Sequence, residues 1–275
     1  MPLPAAIEKA DIEPGLMRLA GKRAFVTGAN RGIGRQVAER MAREGAIVCV
    51  HGRTEAKLKD CLAGIKGRGL DGVPVAADLS KPDEIERLCG EVLKKLGGID
   101  IVVNNAGVAT SVNVVDMSLE TWEWTQQTNL RAPFLITKYL LPTMIKQNRG
   151  GSLVFNASSA AKQGDAGASA YNASKSGLVG FMRCVAAEVG VYGINSNAVC
   201  AGWIATEMAV ELHEQVAART GQELEAFYQQ NMRKNVMQAL IPPDDVAELM
   251  LFLATPAARY ITGQAINICA GKTMA

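Results

Sequence analysis

One glycine-rich segment is the most informative about the architecture: Thr27-Gly28-Ala29-Asn30-Arg31-Gly32-Ile33-Gly34. The apolar run at 24–27 predicts a short buried strand before it, and apolar spacing over 33–44 predicts a helix after it. Glycine lets the backbone approach a pyrophosphate closely, and a helix N-terminus supplies N–H donors to that anion. The segment therefore predicts a dinucleotide-binding turn, to which all its residues from Gly28 to Gly34 except Ala29 are assigned.

Downstream, strand-like and helix-like patterns alternate. Short apolar strands separated by helices are typical of a parallel sheet covered on both faces, and right-handed crossovers then make the sheet doubly wound. The predicted strands are 24–27, 46–50, 73–76, 99–103, 152–155, 194–199 and 264–268, and the predicted helices are 33–44, 54–65, 82–96, 119–147, 168–191 and 242–253. We expect an α/β fold of about seven strands in three layers, α/β/α, with residues 1–275 as one domain.

Two regions fall outside this alternation. Residues 203–241 are helical, amphipathic and rich in methionine, and lie between the last two predicted strands. They are interpreted as a substrate lid, with a plain surface helix pair as the alternative. Residues 1–20 are interpreted as a loosely held N-terminal arm. Whether part of it packs on a neighbouring subunit is left open by the sequence. Their acidic residues and lack of an apolar run do not fit a signal peptide.

Composition excludes several classes of function. The formal charge of +2, without a basic stripe, argues against nucleic-acid binding. No stretch reaches the roughly 18 apolar residues of a membrane span, so a cytoplasmic location is expected. The six cysteines show neither zinc nor redox spacing, and no metal is predicted. Cys200 alone lies near the motifs described below, as a buried thiol or as a group close to substrate.

The second strand bears on the choice of cofactor. It ends in His51-Gly52-Arg53-Thr54, without the acidic residue that would bind the ribose 2′-OH of NAD. Arg53 is placed to pair with a 2′-phosphate, and Arg31 adds a second cation. The sequence therefore favours NADP over NAD. The alternative is that Arg53 is a solvated residue at a helix start.

Two later strand ends complete the predicted cofactor site. Asp78-Leu79 follows the third strand, where Asp78 either accepts from the adenine amino group or caps the next turn. Asn105-Ala106-Gly107 follows the fourth, at the carboxyl edge where such sheets bind ligands. Asn105 is either a structural turn residue or a cofactor contact, and the two roles are compatible.

Tyr171 and Lys175 lie four residues apart in a predicted helix, so they share a face. With Ser158 upstream, the glycine turn and Asn105-Ala106-Gly107, they make the chain resemble the short-chain dehydrogenase/reductase family over residues 19–271. The resemblance implies a seven-stranded Rossmann-type sheet and a homotetramer, or a homodimer, assembled through the two long helices and the C-terminal region.

The resemblance also implies a catalytic tetrad of Asn129, Ser158, Tyr171 and Lys175. Tyr171 would exchange a proton with the substrate oxygen, its pKa lowered by Lys175 and the cofactor. Lys175 would donate to the nicotinamide ribose, and Ser158 to the substrate oxygen. Asn129 would hold a water that connects Lys175 to solvent. Further cofactor contacts are implied at Gly202, Ile204 and Thr206.

The chain departs from the family pattern in two places. Cys200-Ala201-Gly202 stands where the family usually has Pro-Gly after the sixth strand, which predicts a more mobile loop over the nicotinamide. The lid region resembles the 3-hydroxybutyrate and polyol dehydrogenases as well as ketoacyl reductases. However, alanine stands where the hydroxybutyrate enzymes bind the substrate carboxylate, which argues against a small hydroxy acid. These alanines are Ala109, Ala160 and Ala168.

The predicted activity is hydride transfer between a nicotinamide cofactor and a ketone or secondary alcohol (EC 1.1.1.-). Predicted substrate contacts are Ser158, Gln163, Tyr171, Trp203 and Met208. Trp203 and Met208, with three further lid residues, favour an apolar or bulky ketone, such as a 3-oxoacyl compound. These three are Phe227, Tyr228 and Met232. The alternative is that some of the five face the core.

Other functions are considered less favourable. A polyol dehydrogenase would use polar groups, of which the sequence offers Gln163, Asn172, Thr110 and Glu207. A non-catalytic NADP-sensing scaffold would be expected to lack Tyr171 or Lys175, and sugar-nucleotide epimerases are usually longer chains.

Overall fold

The computed structural model describes residues 17–67 and 72–274, without the side chains of residues 218, 219 and 224. Most of the predicted N-terminal arm, residues 1–16, lies outside the described residues. Within them, no helix combines the length and apolar character needed to cross a membrane.

Seven parallel strands form one sheet in the order β3-β2-β1-β4-β5-β6-β7. This order is the doubly wound arrangement, in which the chain reverses direction across the sheet between β1 and β4. The strands are β1 Arg23–Val26, β2 Ile47–Gly52, β3 Gly72–Ala76, β4 Ile101–Asn104, β5 Gly151–Asn156, β6 Ile194–Ala201 and β7 Ala265–Ile268. The predicted fold class is confirmed.

Helices cover both faces of the sheet. Alternate side chains of each strand point to opposite faces: in β1, Ala24 and Val26 join the core on one face of the sheet, and Phe25 joins the core on the other. The helices are α1 Gly32–Arg43, α2 Lys59–Lys66, α3 Pro82–Leu96, α4 Leu119–Gln126, α5 Ala132–Gln147, α6 Ser169–Val189, α7 Glu207–Thr220, α8 Leu224–Met232 and α9 Pro243–Ala254. The three layers follow, and the shared sheet supports the prediction of one domain.

The long helix predicted over 119–147 is wrong in one respect, because a π-helical turn at Gln127–Arg131 divides it into α4 and α5. The N–H of Ala132 donates to Gln127 O, five residues back. Pro133 has no N–H to offer the carbonyl of Asn129, so regular α-helical bonding cannot continue here. The polar helix predicted over 54–65 also differs at its start, because Glu55–Leu58 form a 3₁₀ turn that precedes α2.

The predicted lid is helical, and the two chain segments that connect it to the rest of the fold lie side by side. Ile204 and Ile241 form an isolated parallel bridge. The N–H of Ala205 donates to Ile241 O at 3.0 Å, and the N–H of Ile241 donates to Trp203 O at 3.1 Å. Helices α7 and α8 therefore form an excursion whose two ends are held together beside β6.

Candidate active site

A cavity of about 360 Å³ opens at the carboxyl edge of the sheet, beneath the lid. The ends of β4, β5 and β6 meet there, together with the start of α6. Of the predicted residues, the structure brings Ser158, Tyr171, Lys175, Trp203 and Met208 to its walls.

Lys175 is the buried cation of this cavity. Its side chain is on α6, and Nζ donates to the carbonyl oxygen of Asn156 at the end of β5, at 2.7 Å. The same Nζ lies 5.7 Å from the centre of the Tyr171 ring. Burial lowers the pKa of Lys175 to about 8, so the side chain remains largely an ammonium at neutral pH.

Tyr171 and Ser158 face the same cavity. Burial raises the pKa of Tyr171, and the neighbouring Ser158 hydroxyl opposes that rise only in part. In the chain alone the balance is a rise, because removing the phenol from water disfavours phenolate. The consequence is a protonated Tyr171 at neutral pH. The predicted lowering of its pKa by Lys175 and the cofactor together stays a prediction.

Ser158 is held in place by its own turn. Its Oγ accepts from the N–H of Ala160 at 3.1 Å and lies 3.4 Å from the carbonyl oxygen of Ala201. The carbonyl group at the end of β6 and the 3₁₀ turn after Ser158 thus define the position of this hydroxyl. Cys200, on β6 nearby, is fully buried, and burial raises its pKa, which agrees with the inert-thiol interpretation.

Asn129 is fully buried in the π-helical turn. Its Oδ1 accepts from Val108 N at 2.8 Å, while Nδ2 donates to Val108 O at 2.9 Å and to Ser174 Oγ at 3.0 Å. Both amide hydrogens are therefore committed to protein groups. Asn129 thus fixes the segment after β4 against α6. The predicted water that connects Lys175 to solvent would have to donate to an oxygen of Asn129, because no side-chain N–H is left for it.

The glycine turn fits the pyrophosphate of a dinucleotide. Gly28 and Gly32 have φ of 64° and 53°, values that favour glycine. A Cβ on Gly34 would collide with the Asn105 amide and the Gly28 carbonyl. In the described first turn of α1 there is no acidic side chain, and Arg31 provides no side-chain cap. The N–H groups of this helix end are thus available to an anion.

Two further residues support that turn. His51, which sequence reasoning did not single out, accepts at Nδ1 from the N–H of Gly28 at 3.2 Å, and its Nε2 lies 3.1 Å from the carbonyl of Ala77. Burial lowers its pKa to about 4, so it is neutral. Asn105 Nδ2 donates to Thr27 O at 2.9 Å, and its Oδ1 accepts from Asn156 at 2.9 Å. Asn105 therefore links three strand ends while it lines the cavity.

Asp78 caps the turn after β3. Its Oδ1 accepts from Ser80 N at 3.0 Å and from Ser80 Oγ at 2.8 Å, and these bonds lower its pKa. The turn-capping alternative is thus present in the structure. Leu79 is 5% exposed, so its side chain belongs to the core and only its backbone is left to face a cofactor.

The two predicted phosphate-binding arginines differ. Arg53 and Thr54 are exposed at the end of β2, and within the described residues Arg53 makes no ion pair. Arg31 instead forms a two-pronged ion pair with Glu211 of α7, with Nη2 donating to Oε2 at 3.0 Å. In this arrangement of the lid Arg31 is therefore paired with a carboxylate, and its role as a second cation for the 2′-phosphate stays a prediction.

The lid residues divide between two faces. Trp203, Met208 and Phe227 line the cavity. Tyr228 and Met232, predicted beside the substrate, instead line a separate cleft with Arg31 and Glu207. That cleft also includes Asn30 and Gly32, because the outer side of the lid faces the glycine turn.

Gln163 is the remaining substrate contact that the structure corrects. Its Oε1 accepts from Thr273 Oγ1 at 2.9 Å and its Nε2 donates to Asp165, and it is not among the cavity-lining residues. Thr110 and Asn172 do line the cavity, as do the three alanines Ala109, Ala160 and Ala168. Lys234 and Lys272 also line it, and no local sequence pattern marks either residue.

Comparison with known proteins agrees with this geometry. The sequence model of a family described as Enoyl-(Acyl carrier protein) reductase matches residues 28–273. A protein of Streptomyces coelicolor named putative ketoacyl reductase is 34% identical over 90% of this chain and 95% of its own length. A 3-oxoacyl-[acyl-carrier-protein] reductase of Vibrio cholerae is 34% identical over 94% of this chain and 100% of its own.

Solved structures give the same result. A variant of actinorhodin polyketide ketoreductase with NADPH superposes with a TM-score of 0.87 at 33% identity, covering 92% of this chain and 97% of that one. A short-chain type dehydrogenase/reductase of Mycobacterium marinum superposes with a TM-score of 0.85 at 32% identity, covering 94% and 98%. The chain therefore belongs to the short-chain dehydrogenase/reductase family, oxidoreductases that use a nicotinamide cofactor and act on CH–OH groups.

Proposed function

We propose that this protein is an NADPH-dependent carbonyl reductase whose substrate is a 3-oxoacyl compound or another bulky ketone. The observation that carries the proposal is the meeting of Ser158, Tyr171 and Lys175 in one lidded cavity at the edge of the sheet that carries the glycine turn. The relatives named as ketoacyl reductases support the same reaction.

Tyr171 is the proposed proton donor. Because burial raises its pKa, its phenol is protonated at neutral pH, as reduction of a ketone requires. Ser158, which lines the same cavity, donates to the same substrate oxygen as negative charge develops on it. When Tyr171 gives up its proton, the Lys175 ammonium stabilises the resulting phenolate.

The residues of the glycine turn fit a dinucleotide, which would supply the hydride. Gly28 and the N-terminal turn of α1 would hold the pyrophosphate, and Lys175 the nicotinamide ribose. At the other end, Arg53 would pair with a 2′-phosphate, since residues 51–54 at the end of β2 include no acid to bind an unmodified ribose. These features support NADPH over NADH.

The walls of the cavity support a ketone rather than a polyol. Three alanines, Ala109, Ala160 and Ala168, stand with Met208 and Phe227 around the site. A polyol would need a hydrogen-bond partner for each hydroxyl group, because an unpaired buried hydroxyl is costly. Of the polar groups predicted for that role, Gln163 and Glu207 are not among the cavity-lining residues.

We also propose that the chain assembles as a homotetramer, with a homodimer as the alternative. Phe134 of α5 is 43% exposed and Trp124 of α4 is 42% exposed, on the surface of the helices predicted to form the contact. Large exposed apolar groups on neighbouring helices are typical of a protein–protein interface.

The test is a screen of 3-oxoacyl thioesters, cyclic ketones and aromatic ketones with NADPH and with NADH. The reaction is monitored by the absorbance of the reduced nicotinamide. We expect ketone-dependent oxidation of NADPH that requires Tyr171. Turnover of polyols with NADP⁺ but of no ketone with NADPH would contradict the proposed substrate class. A Tyr171→Phe variant with wild-type activity would contradict the assigned chemistry.

A further inference from the structure

The charges that line the cavity are unequal in sign. Four charged side chains reach its walls: three are positive, Lys175, Lys234 and Lys272, and one is negative, Asp165. Lys175 belongs to the proposed proton-transfer site. The remaining part of the cavity therefore presents two ammonium groups and one carboxylate to whatever enters it.

Lys272 is largely withdrawn from water and weakly compensated. Its side chain is 11% exposed, and its nearest carboxylate oxygen, Asp165 Oδ2, lies at 3.5 Å. Its Nζ also lies 5.3 Å from the centre of the Trp203 ring. An ammonium offers three donors, and a bond of 3.5 Å is at the outer limit of a hydrogen bond. Burying a cation with so little compensation is unfavourable, so an additional anion would bind here favourably.

The C-terminal segment is folded so that Lys272 reaches the cavity. Ala270 and Gly271 have φ of 51° and 78°, which turns the chain back after β7. The N–H of Lys272 donates to Cys269 O at 2.9 Å, and Thr273 Oγ1 donates to Gln163 Oε1 at 2.9 Å. Bonds on both sides of Lys272 therefore fix its backbone. The position of Lys272 at the cavity is therefore set by the backbone of the C-terminal segment.

Lys234 approaches the same cavity from the segment after α8. Its Nζ donates to Asn231 Oδ1 at 3.2 Å, and within residues 17–67 and 72–274 it has no carboxylate partner. Asn231 is itself 7% exposed and tied to Phe227 O at 2.9 Å. A second lysine is thus held at the cavity wall without a neutralising charge.

We propose that Lys272 and Lys234 form an anion subsite of this cavity, so that the ketone reduced here carries a carboxylate or a phosphate in addition to its carbonyl group. This inference rests on the proposed function, because it names a feature of the substrate of that same site. Asp165, whose side chain is 44% exposed, is the counter-ion of Lys272 until the anion arrives. The alanine walls offer no charge to an anion, so the positive charge of the subsite comes from the two lysines.

The first test compares matched substrates. Methyl ketones bearing a terminal carboxylate, with chains lengthened one methylene at a time, are assayed with NADPH beside their methyl esters and the corresponding keto phosphates. We expect an optimal chain length at which the charged ketone has a higher kcat/KM than its ester. Equal kcat/KM for acid, phosphate and ester at every length would overturn the proposal, whereas a preference between acid and phosphate identifies the anion.

The second test uses variants. Lys272→Met should lower kcat/KM for the best charged ketone about 10- to 100-fold, the range expected when a hydrogen bond to a charged group is lost. The effect should appear in KM, leave the ester within a factor of about two, and be partly reversed in Lys272→Arg. Lys234→Met should act in the same direction, and Lys146→Met, exposed on α5, serves as the control. An equal loss for acid and ester would mean that Lys272 is structural, and would overturn the proposal.

A third measurement separates this inference from the proposed function. Calorimetric titration of hexanoate and hexanamide into the NADP⁺-saturated protein reports binding without turnover. We expect hexanoate to bind more tightly, and Lys272→Met to abolish the difference. If ketones are not reduced but this preference is present, the proposed function is wrong and the anion subsite stands. If ketones are reduced but hexanoate gains nothing over hexanamide, the subsite is wrong and the proposed function stands.

Discussion

The base of the cavity and its lid are built differently. Ser158 and Lys175 are 8% and 3% exposed, and both belong to segments packed against the central sheet. In α7, by contrast, His213 is the buried side chain among those that the structure describes. A region with few buried contacts opens at a lower free-energy cost than one anchored in a core. The reacting groups are therefore held rigidly, while the lid that would cover the substrate is held by a small number of contacts.

Those few contacts are identifiable. His213 packs against Trp203 and Tyr228, with ring centres at 4.8 and 4.1 Å. On the outer side, Glu211 binds Arg31 of the glycine turn. The aromatic cluster thus holds the lid helices to each other and to Trp203 at the start of the lid, and an ion pair joins the lid to the cofactor turn. Changes at the base should alter chemistry with little effect on lid motion, and changes at these contacts should do the reverse.

The largest effect is expected at the base. Replacement of Tyr171 by Phe removes the proposed proton donor, and kcat/KM for ketone reduction should fall about 10²- to 10⁴-fold. The free energy of unfolding should change by no more than about 1.5 kcal/mol, since one hydrogen bond is lost. Steady-state kinetics and thermal unfolding measure the two quantities. Tyr192→Phe, at a tyrosine 41% exposed and away from the cavity, is the matched control. Comparable losses in both variants would refute the assignment.

A smaller effect is expected at the cofactor end. Arg53→Ala should raise the KM for NADPH about 10- to 100-fold by removing the partner of the 2′-phosphate, and leave the KM for NADH unchanged. Initial rates at varied cofactor concentration decide this. Arg259→Ala, at an exposed arginine after α9, should change neither value. A Km for NADPH that stays at the wild-type value in Arg53→Ala would leave the NADPH preference without its main support.

The stability of the closed lid should depend on pH between 4 and 6.5, whereas that of the base of the cavity should not. Burial lowers the pKa of His213 to about 4 from its ordinary value near 6.5. A group with a depressed pKa in the closed lid binds its proton more readily in the open one, so closure is fully stabilised above pH 6.5. That stabilisation, about 1–2 kcal/mol, is lost as the pH falls towards 4.

Hydrogen exchange at pH 7 and pH 5, corrected for the intrinsic rate, measures this effect. Amides of α7 and α8 should lose protection at pH 5, while those of α6 keep theirs. His213→Phe retains an aromatic ring without a titrating group and should remove the pH dependence of the lid. Equal loss of protection in α6 would indicate global unfolding and count against a separate lid equilibrium.

The smallest effect is expected at the ion pair between the two regions. Glu211→Gln should release Arg31 and tighten NADPH binding about two- to fivefold, since an exposed ion pair contributes little and the freed guanidinium then faces the phosphates. Fluorescence titration of NADPH provides the dissociation constant. Glu214→Gln, on the same helix, is the control. Weaker binding in Glu211→Gln would mean that the closed lid aids the cofactor more than the free arginine does.

Local pattern was sufficient for most of the architecture. Strand and helix alternation predicted the three layers, because period-two and period-3.6 spacing of apolar residues is written in neighbouring positions. The π-helical turn at Asn129 was missed, although Pro133, which cannot bond the carbonyl of Asn129, is visible in the sequence. The bonds of the Asn129 side chain to Val108 could not be predicted, because they join segments 21 residues apart. The raised pKa of Tyr171 in the chain alone was likewise beyond sequence reasoning, because it depends on the extent of burial, which spacing along a helix does not report.

The lid shows where sequence reasoning ends. Amphipathic spacing predicted its two helices, yet Met208 and Met232 face different clefts, and Gln163 is tied to Thr273 at the far end of the chain. Linear order alone was enough to identify the family, the glycine turn and the order of Ser158, Tyr171 and Lys175, because those signals lie in short segments. Only the tertiary structure brought Lys272, Lys234 and Asp165 to one cavity, because contacts between segments distant in sequence depend on how the whole chain packs.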